Sequence, residues 1–192
     1  MKKKQLLSLY KLKNTVFTLK EIALLWQESN YANLKARINY YVQQKMLYSP
    51  RRGIYTVDAN YNRQELGAKL YTPAYISLET VLQREGMVFQ YDSAIYVISY
   101  LSRSINCENQ NYVYRRINNK ILLNLLGIEQ NPGYYIATKE RALLDCLYLN
   151  KTYHFDNLQE INWDFCFEIA EIYESKVLIK SLKELRASAG NK

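Results

Sequence analysis

Tyr48-Ser49-Pro50-Arg51-Arg52-Gly53-Ile54-Tyr55-Thr56-Val57 is a β-hairpin in outline: two short strand-prone runs around a turn marked by Pro50 and Gly53. Its tip carries two arginines. The residues before it give the hairpin its meaning. Over residues 31–45, Leu34, Ile38, Tyr41 and Val42 fall on one side of a helix, the spacing of a core-facing stripe. Ala32, Asn33, Ala36, Tyr40 and Gln43 fall on the other, flanked by Lys35 and Arg37. Two alanines there let a backbone approach a groove closely. Further upstream, Thr18-Leu19-Lys20-Glu21 has the form of a capping box. Ile22, Leu25 and Trp26 supply the inward face of a helix ending near Trp26, and Ser29 or Asn30 caps the next one. Residues 5–13 carry Leu6, Leu9, Tyr10 and Lys13 at helical spacing, which predicts a first, short helix. Three helices and then a hairpin with a basic tip form a winged helix-turn-helix, with the third helix suited to a major groove and the wing to phosphates or a minor groove.

Charge follows the same division. Up to Val57, eight lysines and three arginines face only Glu21 and Glu28, a net of +9 within a chain whose total is +8. A basic front joined to a nearly neutral remainder points to a polyanion held by the front. The residues that fit this role divide by chemistry. Asn33, Tyr40 and Gln43 are candidates for base edges, since Asn and Gln present both donor and acceptor to adenine. Lys35, Arg37, Arg51 and Arg52 are candidates for phosphate, with Arg52 also placed for the minor groove. Lys2, Lys3, Lys4, Lys20, Arg103, Arg115 and Arg116 are secondary candidates. Arg115 and Arg116 sit on a predicted strand and point to opposite faces, so at most one contributes.

The chain of 192 residues is long enough for two small domains, and 48% hydrophobic content is ordinary globular usage. The 19 tyrosines accompany abundant Asn and Lys, a bias that AT-rich codons produce without any functional demand. Cys107, Cys146 and Cys166 are widely spaced and His154 is the lone histidine, a pattern of reduced thiols in a cytosolic protein rather than of a zinc site or disulfide framework. Met1-Lys2-Lys3-Lys4 has the charge of a leader's front, but the apolar run behind it is broken by Lys11 and Lys13. Nothing approaches the roughly 18 consecutive apolar residues of a membrane span. A soluble, cytoplasmic protein with no membrane partner is expected.

The expected organisation is a winged helix-turn-helix at 1–58, a connector at 59–72 and a mixed α/β domain at 73–192, an α+β chain overall. In the connector, Asn60 and Asn62 mark loop and residues 64–69 suit a short helix. Ser77 is placed to cap a helix that Gly86 closes. Residues 94–100 and 112–117 are rich in β-branched and aromatic residues and read as strands. A further short strand at 134–137 runs into Thr138, the cap of a helix from 139 to about 149, and residues 164–187 read as one or two helices. The order of strands in the sheet is not given by the pattern.

Three stretches, R-R-G-I-Y at 51–55, Y-I-S-L-E at 75–79 and I-A-T-K-E-R-A-L-L-D at 136–145, resemble the AbiE-type antitoxins of bacterial type IV toxin–antitoxin systems. The resemblance spans residues 17–149. Arg141 stands where members of that family often carry Lys, and residues beyond Asn150 have no counterpart. The resemblance implies an autorepressor that binds inverted repeats of double-stranded DNA in its own promoter. It also implies a second domain that counters a co-encoded nucleotidyltransferase-like toxin without a stable complex. The same motif residues have structural readings: Ser77 and Thr138 as caps, Glu79, Glu140 and Asp145 as holders of buried or interfacial hydrogen bonds, and Leu78, Leu143, Leu144 and Leu147 as core.

Enzymatic readings find little support. No phosphate-binding glycine loop or H-E-x-x-H pair is present. Glu174-Ser175-Lys176, with Asp164 upstream, matches an E-x-K nuclease element only superficially, because Ile169, Ile172 and Tyr173 give the region helical spacing. No catalytic residue, metal ligand or cofactor is expected. A competing reading keeps the winged helix but gives the second domain a ligand-sensing or dimerising role with no toxin partner. Another makes the chain a protein-interaction module whose basic end only aids solubility.

Overall fold

The computed structural model describes residues 2–189, except for the side chains of Lys2, Lys3 and Lys4. The expectation that these three lysines contribute secondary contacts therefore lies outside the described residues. The chain is an α+β protein with helices and two sheets.

The first part runs α1 (Lys2–Tyr10), β1 (Val16–Thr18), α2 (Leu19–Trp26), α3 (Tyr31–Gln43), β2 (Tyr48–Arg51) and β3 (Ile54–Thr56). Its sheet is antiparallel with the order β1-β3-β2. Local chemistry sets the boundaries. The Thr18 and Glu21 capping box forms as expected, and Gln27 ends α2 in the left-handed region. Asn30 caps α3 by accepting from the Ala32 and Asn33 amides. Gly53, at φ +84, turns β2 into β3. Leu9, Phe17, Ile22, Trp26, Leu34, Ile38, Tyr41, Leu47 and Tyr55 make one core. Two expectations change here. Leu25 is exposed and Ala23 is buried in its place, because 22, 23 and 26 share one side of the helix. Strand β1 was not anticipated, since three residues are too few to show a period.

The second part comprises α4 (Arg63–Leu70), β4 (Ala74–Ile76), α5 (Glu79–Arg84), β5 (Ile95–Ser99), β6 (Arg103–Cys107), β7 (Gln110–Arg116), α6 (Asn119–Leu122), β8 (Ile128–Asn131), β9 (Tyr134–Ala137), α7 (Lys139–Leu149), α8 (Trp163–Ala170) and α9 (Lys176–Ala189), with a 3-10 turn at Glu171–Tyr173. The sheet order is β6-β7-β5-β4-β9-β8, with β5 parallel to β7, β4 parallel to β9 and the other pairs antiparallel. Helix α4 lies on one face, where the Tyr114 hydroxyl donates to the Gly67 carbonyl at 2.7 Å. A Cβ at Gly67 would stand 2.8 Å from the Tyr112 ring, so glycine sets how closely α4 approaches the sheet. Helices α5 and α7 cover the other face. The stretch expected as a connector is built into this core through Tyr61, Leu66 and Ala68, because its apolar residues need covering.

Thr138 caps α7 as expected. Ser77 does not cap α5. Leu78 takes the N-cap position at φ +56 with no side-chain cap bond, and the buried Ser77 hydroxyl donates to Asp145 Oδ2 at 2.7 Å. Asp145 also accepts from Tyr75 and Tyr173 and faces Arg141 at 3.6 Å, with both side chains fully buried. Arg141 donates to the carbonyls of Leu126 and Ile121, which joins α7 to the segment before β8. Among the described residues, every polar side-chain atom of this cluster except Arg141 Nε is hydrogen-bonded, which offsets the cost of burying it.

The two parts are joined by a second polar group. Glu65 accepts from the Thr15 amide at 2.8 Å and the Thr15 hydroxyl at 2.7 Å. Lys69 donates to the Val16 carbonyl at 2.6 Å and pairs with Glu21 at 2.9 Å and Glu65 at 3.1 Å. Gly133, at φ +82, lies so close that a Cβ would collide with the Glu65 carboxylate. Val16 and Ile54, though on the small sheet, pack into the larger core. The capping glutamate of α2 is thus tied directly to α4.

Candidate nucleic-acid interface

Helix α3 turns Leu34, Ile38 and Tyr41 inward and leaves Asn33, Lys35, Ala36, Tyr40 and Gln43 exposed. Tyr40 stands edge-on to Tyr41, with ring centroids 5.7 Å apart, which steadies an otherwise free aromatic. The stripe read from the sequence therefore leaves one polar face of α3 open to solvent. Arg37 departs from that reading. Its guanidinium is partly buried, pairs with Glu28 at 3.0 Å and donates to Gln5 Oε1 at 2.9 Å. It ties α3 to α1 and to the α2–α3 turn instead of standing free for phosphate. Lys20, in the first turn of α2, is exposed. Among the described residues, Lys20, Lys35, Arg51, Arg52 and Arg103 make no ion pair.

The hairpin tip lies against the second part of the molecule. The Cys107 thiol on β6 donates to the Pro50 carbonyl at 3.4 Å. Arg51 and Arg52 are both exposed. Arg51 donates to the Tyr71 hydroxyl at 3.4 Å, and its guanidinium carbon is 5.8 Å from the ring centroid. Arg103 reaches the same hydroxyl at 3.2 Å, with its guanidinium carbon 6.0 Å from the centroid. Tyr71 follows α4 and stands edge-on against Tyr114 at 5.0 Å. Sequence reasoning passed over it, because one tyrosine among 19 carries no spacing signal. The hairpin arginine and Arg103 come together only through it.

The remaining secondary candidates separate. Arg103 pairs with Tyr114 across the β6–β7 ladder and so shares its face, the one covered by α4. Arg115 alternates to the face covered by α5 and α7, where its charge bears on Glu79. Arg116, at the end of β7, lines a recess with Ile117, Asn118, Asn119 and Tyr148. Both Arg115 and Arg116 are exposed, but only Arg103 meets the hairpin.

Elsewhere the chemistry is quieter. Burial pushes the Cys146 thiol well above its ordinary range, with the carboxylates of Glu79 and Asp145 adding to the effect. That is the opposite of an activated nucleophile. His154 is exposed beside Asp156. Glu174 follows the 3-10 turn in the left-handed region, so the E-x-K element is not on a strand. A cleft of about 590 Å³ opens between the two parts beside Glu21, Lys69, Gly133 and Tyr134. Another of about 510 Å³ is lined by Glu79, Asp92, Tyr96 and Tyr153. Among the described residues, no helix is long and apolar enough to cross a membrane. Compared with known proteins, the chain matches no family model and no curated protein.

Proposed function

We propose that the chain is a DNA-binding repressor of its own operon and the antitoxin of a type IV toxin–antitoxin system, acting in the cytoplasm by binding rather than catalysis. The observation that carries the DNA reading is the solvent-facing polar side of α3 beside a hairpin bearing Arg51 and Arg52. The element order α1-β1-α2-α3-β2-β3, with strands ordered β1-β3-β2, supports a winged helix. In this reading α3 enters the major groove of an inverted-repeat operator. Asn33, Tyr40 and Gln43 meet base edges, and Lys20, Lys35, Arg51 and Arg52 neutralise phosphates. The antitoxin half of the proposal rests on the resemblance carried by residues 75–79 and 136–145.

Titration of a duplex from the chain's own promoter, repeated over a salt series, tests the first half. Neutralising about four phosphates gives a slope of log K against log salt of about −3.6, from roughly −0.9 per contact. A slope near zero overturns DNA binding. Co-expression with any nucleotidyltransferase gene encoded beside it tests the second. Restored growth with no toxin retained on the purified chain supports the antitoxin; unrelieved toxicity leaves a plain transcriptional regulator.

A further inference from the structure

Arg51 and Arg103 come from different parts of the molecule, yet both donate to one neutral oxygen, the Tyr71 hydroxyl, at 3.4 and 3.2 Å. Neither has a carboxylate partner among the described residues. Two cations held this close repel, and a phenol oxygen cannot neutralise them. Each guanidinium keeps further N–H donors beyond the one aimed at Tyr71, and both side chains are exposed. The arrangement lacks only an anion, and one able to accept from two planar forks is a phosphate with its several oxygens.

We propose that Arg51 and Arg103 form a single two-armed phosphate clamp with Tyr71 as its positioning residue, taking one backbone phosphodiester of the bound duplex. The proposal rests on the DNA-binding reading above and deepens it: DNA fixes the hairpin and the second sheet with the same anion. Tyr71 is well held for this task, by its place at the end of α4 and its edge contact with Tyr114. The Cys107 bond to Pro50 keeps β2 and β6 in step beside it. The clamp therefore exists before DNA arrives, and little ordering is needed on binding.

The test is a duplex titration over a potassium chloride series for wild type, Arg51→Ala, Arg103→Ala, the double variant, and Tyr71→Phe alone and in the double background. One shared phosphate predicts that the double variant lowers the salt slope by about 0.9, and that its loss of affinity is smaller than the product of the two single losses. Tyr71→Phe keeps the ring and removes the hydroxyl; it weakens wild-type binding several-fold and has no further effect in the double background. A slope change of about 1.8 with multiplying losses means two separate phosphates and overturns the clamp. An unchanged slope overturns it as well, as does an equal Tyr71→Phe effect in both backgrounds. In each of those outcomes a wild-type slope of about −3.6 to −4.5 leaves DNA binding standing. A wild-type slope near zero removes the DNA reading itself, and the clamp with it. Both arginines are exposed, so unchanged thermal midpoints show that the variants are folded.

Discussion

Arg37 and Glu28 are joined by a 3.0 Å ion pair that locks the middle of α3 to the turn in front of the helix. Two residues earlier on the same helix, Lys35 is exposed and unpaired among the described residues. The two cations are equal in charge and unequal in task. One holds the helix in place, and the other faces solvent.

Arg37→Ala and Lys35→Ala therefore have opposite signatures. Arg37→Ala lowers folding stability by about 1 kcal/mol, the upper range for a partly exposed pair, and leaves the salt slope of DNA binding unchanged. Lys35→Ala leaves stability within about 0.5 kcal/mol of wild type and lowers the slope by roughly 0.9. Urea denaturation and a salt-series titration read both quantities. Equal slopes lost by both variants would return Arg37 to the phosphate contacts.

Under the proposed function, Asn33 and Arg52 divide recognition in the same manner. Asn33→Ala erodes preference for the operator over random duplex by roughly 1–3 kcal/mol if the amide makes a bidentate contact to adenine. Arg52→Ala weakens both duplexes by the same factor, since a phosphate carries no sequence. Competition titrations with operator and shuffled duplexes measure the ratio. A uniform loss for Asn33→Ala moves it to the backbone contacts.

Much of the first part was legible because its signals are local. The Thr18 and Glu21 box, the stripe through Leu34, Ile38 and Tyr41, and the Gly53 turn each lie within a few residues of sequence. What escaped depended on distant partners. Ser77 has the chemistry of a cap, but Asp145, 68 residues away, takes its hydroxyl. Strand β6 carries Arg103, Ser104 and Asn106, polar residues that an edge strand tolerates and a pattern search passes over. Arg37 looks free on a helical wheel because a wheel does not contain Glu28 or Gln5. Tyr71 gains its place only when the hairpin and the second sheet meet.

The Arg141 and Asp145 pair sets the stability of the second part. Asp145→Ala leaves the fully buried guanidinium without its counter-charge and costs about 3–5 kcal/mol. Arg141→Lys keeps a charge but cannot hold both the Leu126 and Ile121 carbonyls as a fork does, and costs about 1–3 kcal/mol. Urea midpoints separate the two. An Arg141→Lys protein as stable as wild type would mean that charge alone matters there and that the carbonyl bonds contribute nothing.

Glu79 makes the stability of the second part depend on pH. Burial raises its carboxyl above the ordinary 4.5, against the pull of its own backbone amide, Arg115 and the Tyr153 hydroxyl. A carboxyl raised in the folded state binds its proton more tightly there than in the unfolded chain, so its contribution is full below the unfolded value and is lost as pH rises through the folded one. Wild type therefore gives up stability above about pH 4.5 that Glu79→Gln keeps, because the amide never ionises. Thermal midpoints measured from pH 4 to pH 7 should find the two proteins close together at the acid end. The variant should gain on wild type as the pH rises. A Glu79→Gln protein that instead falls further behind wild type toward pH 7 would mean that the ionised carboxylate, held by Arg115 and Tyr153, is the favoured form.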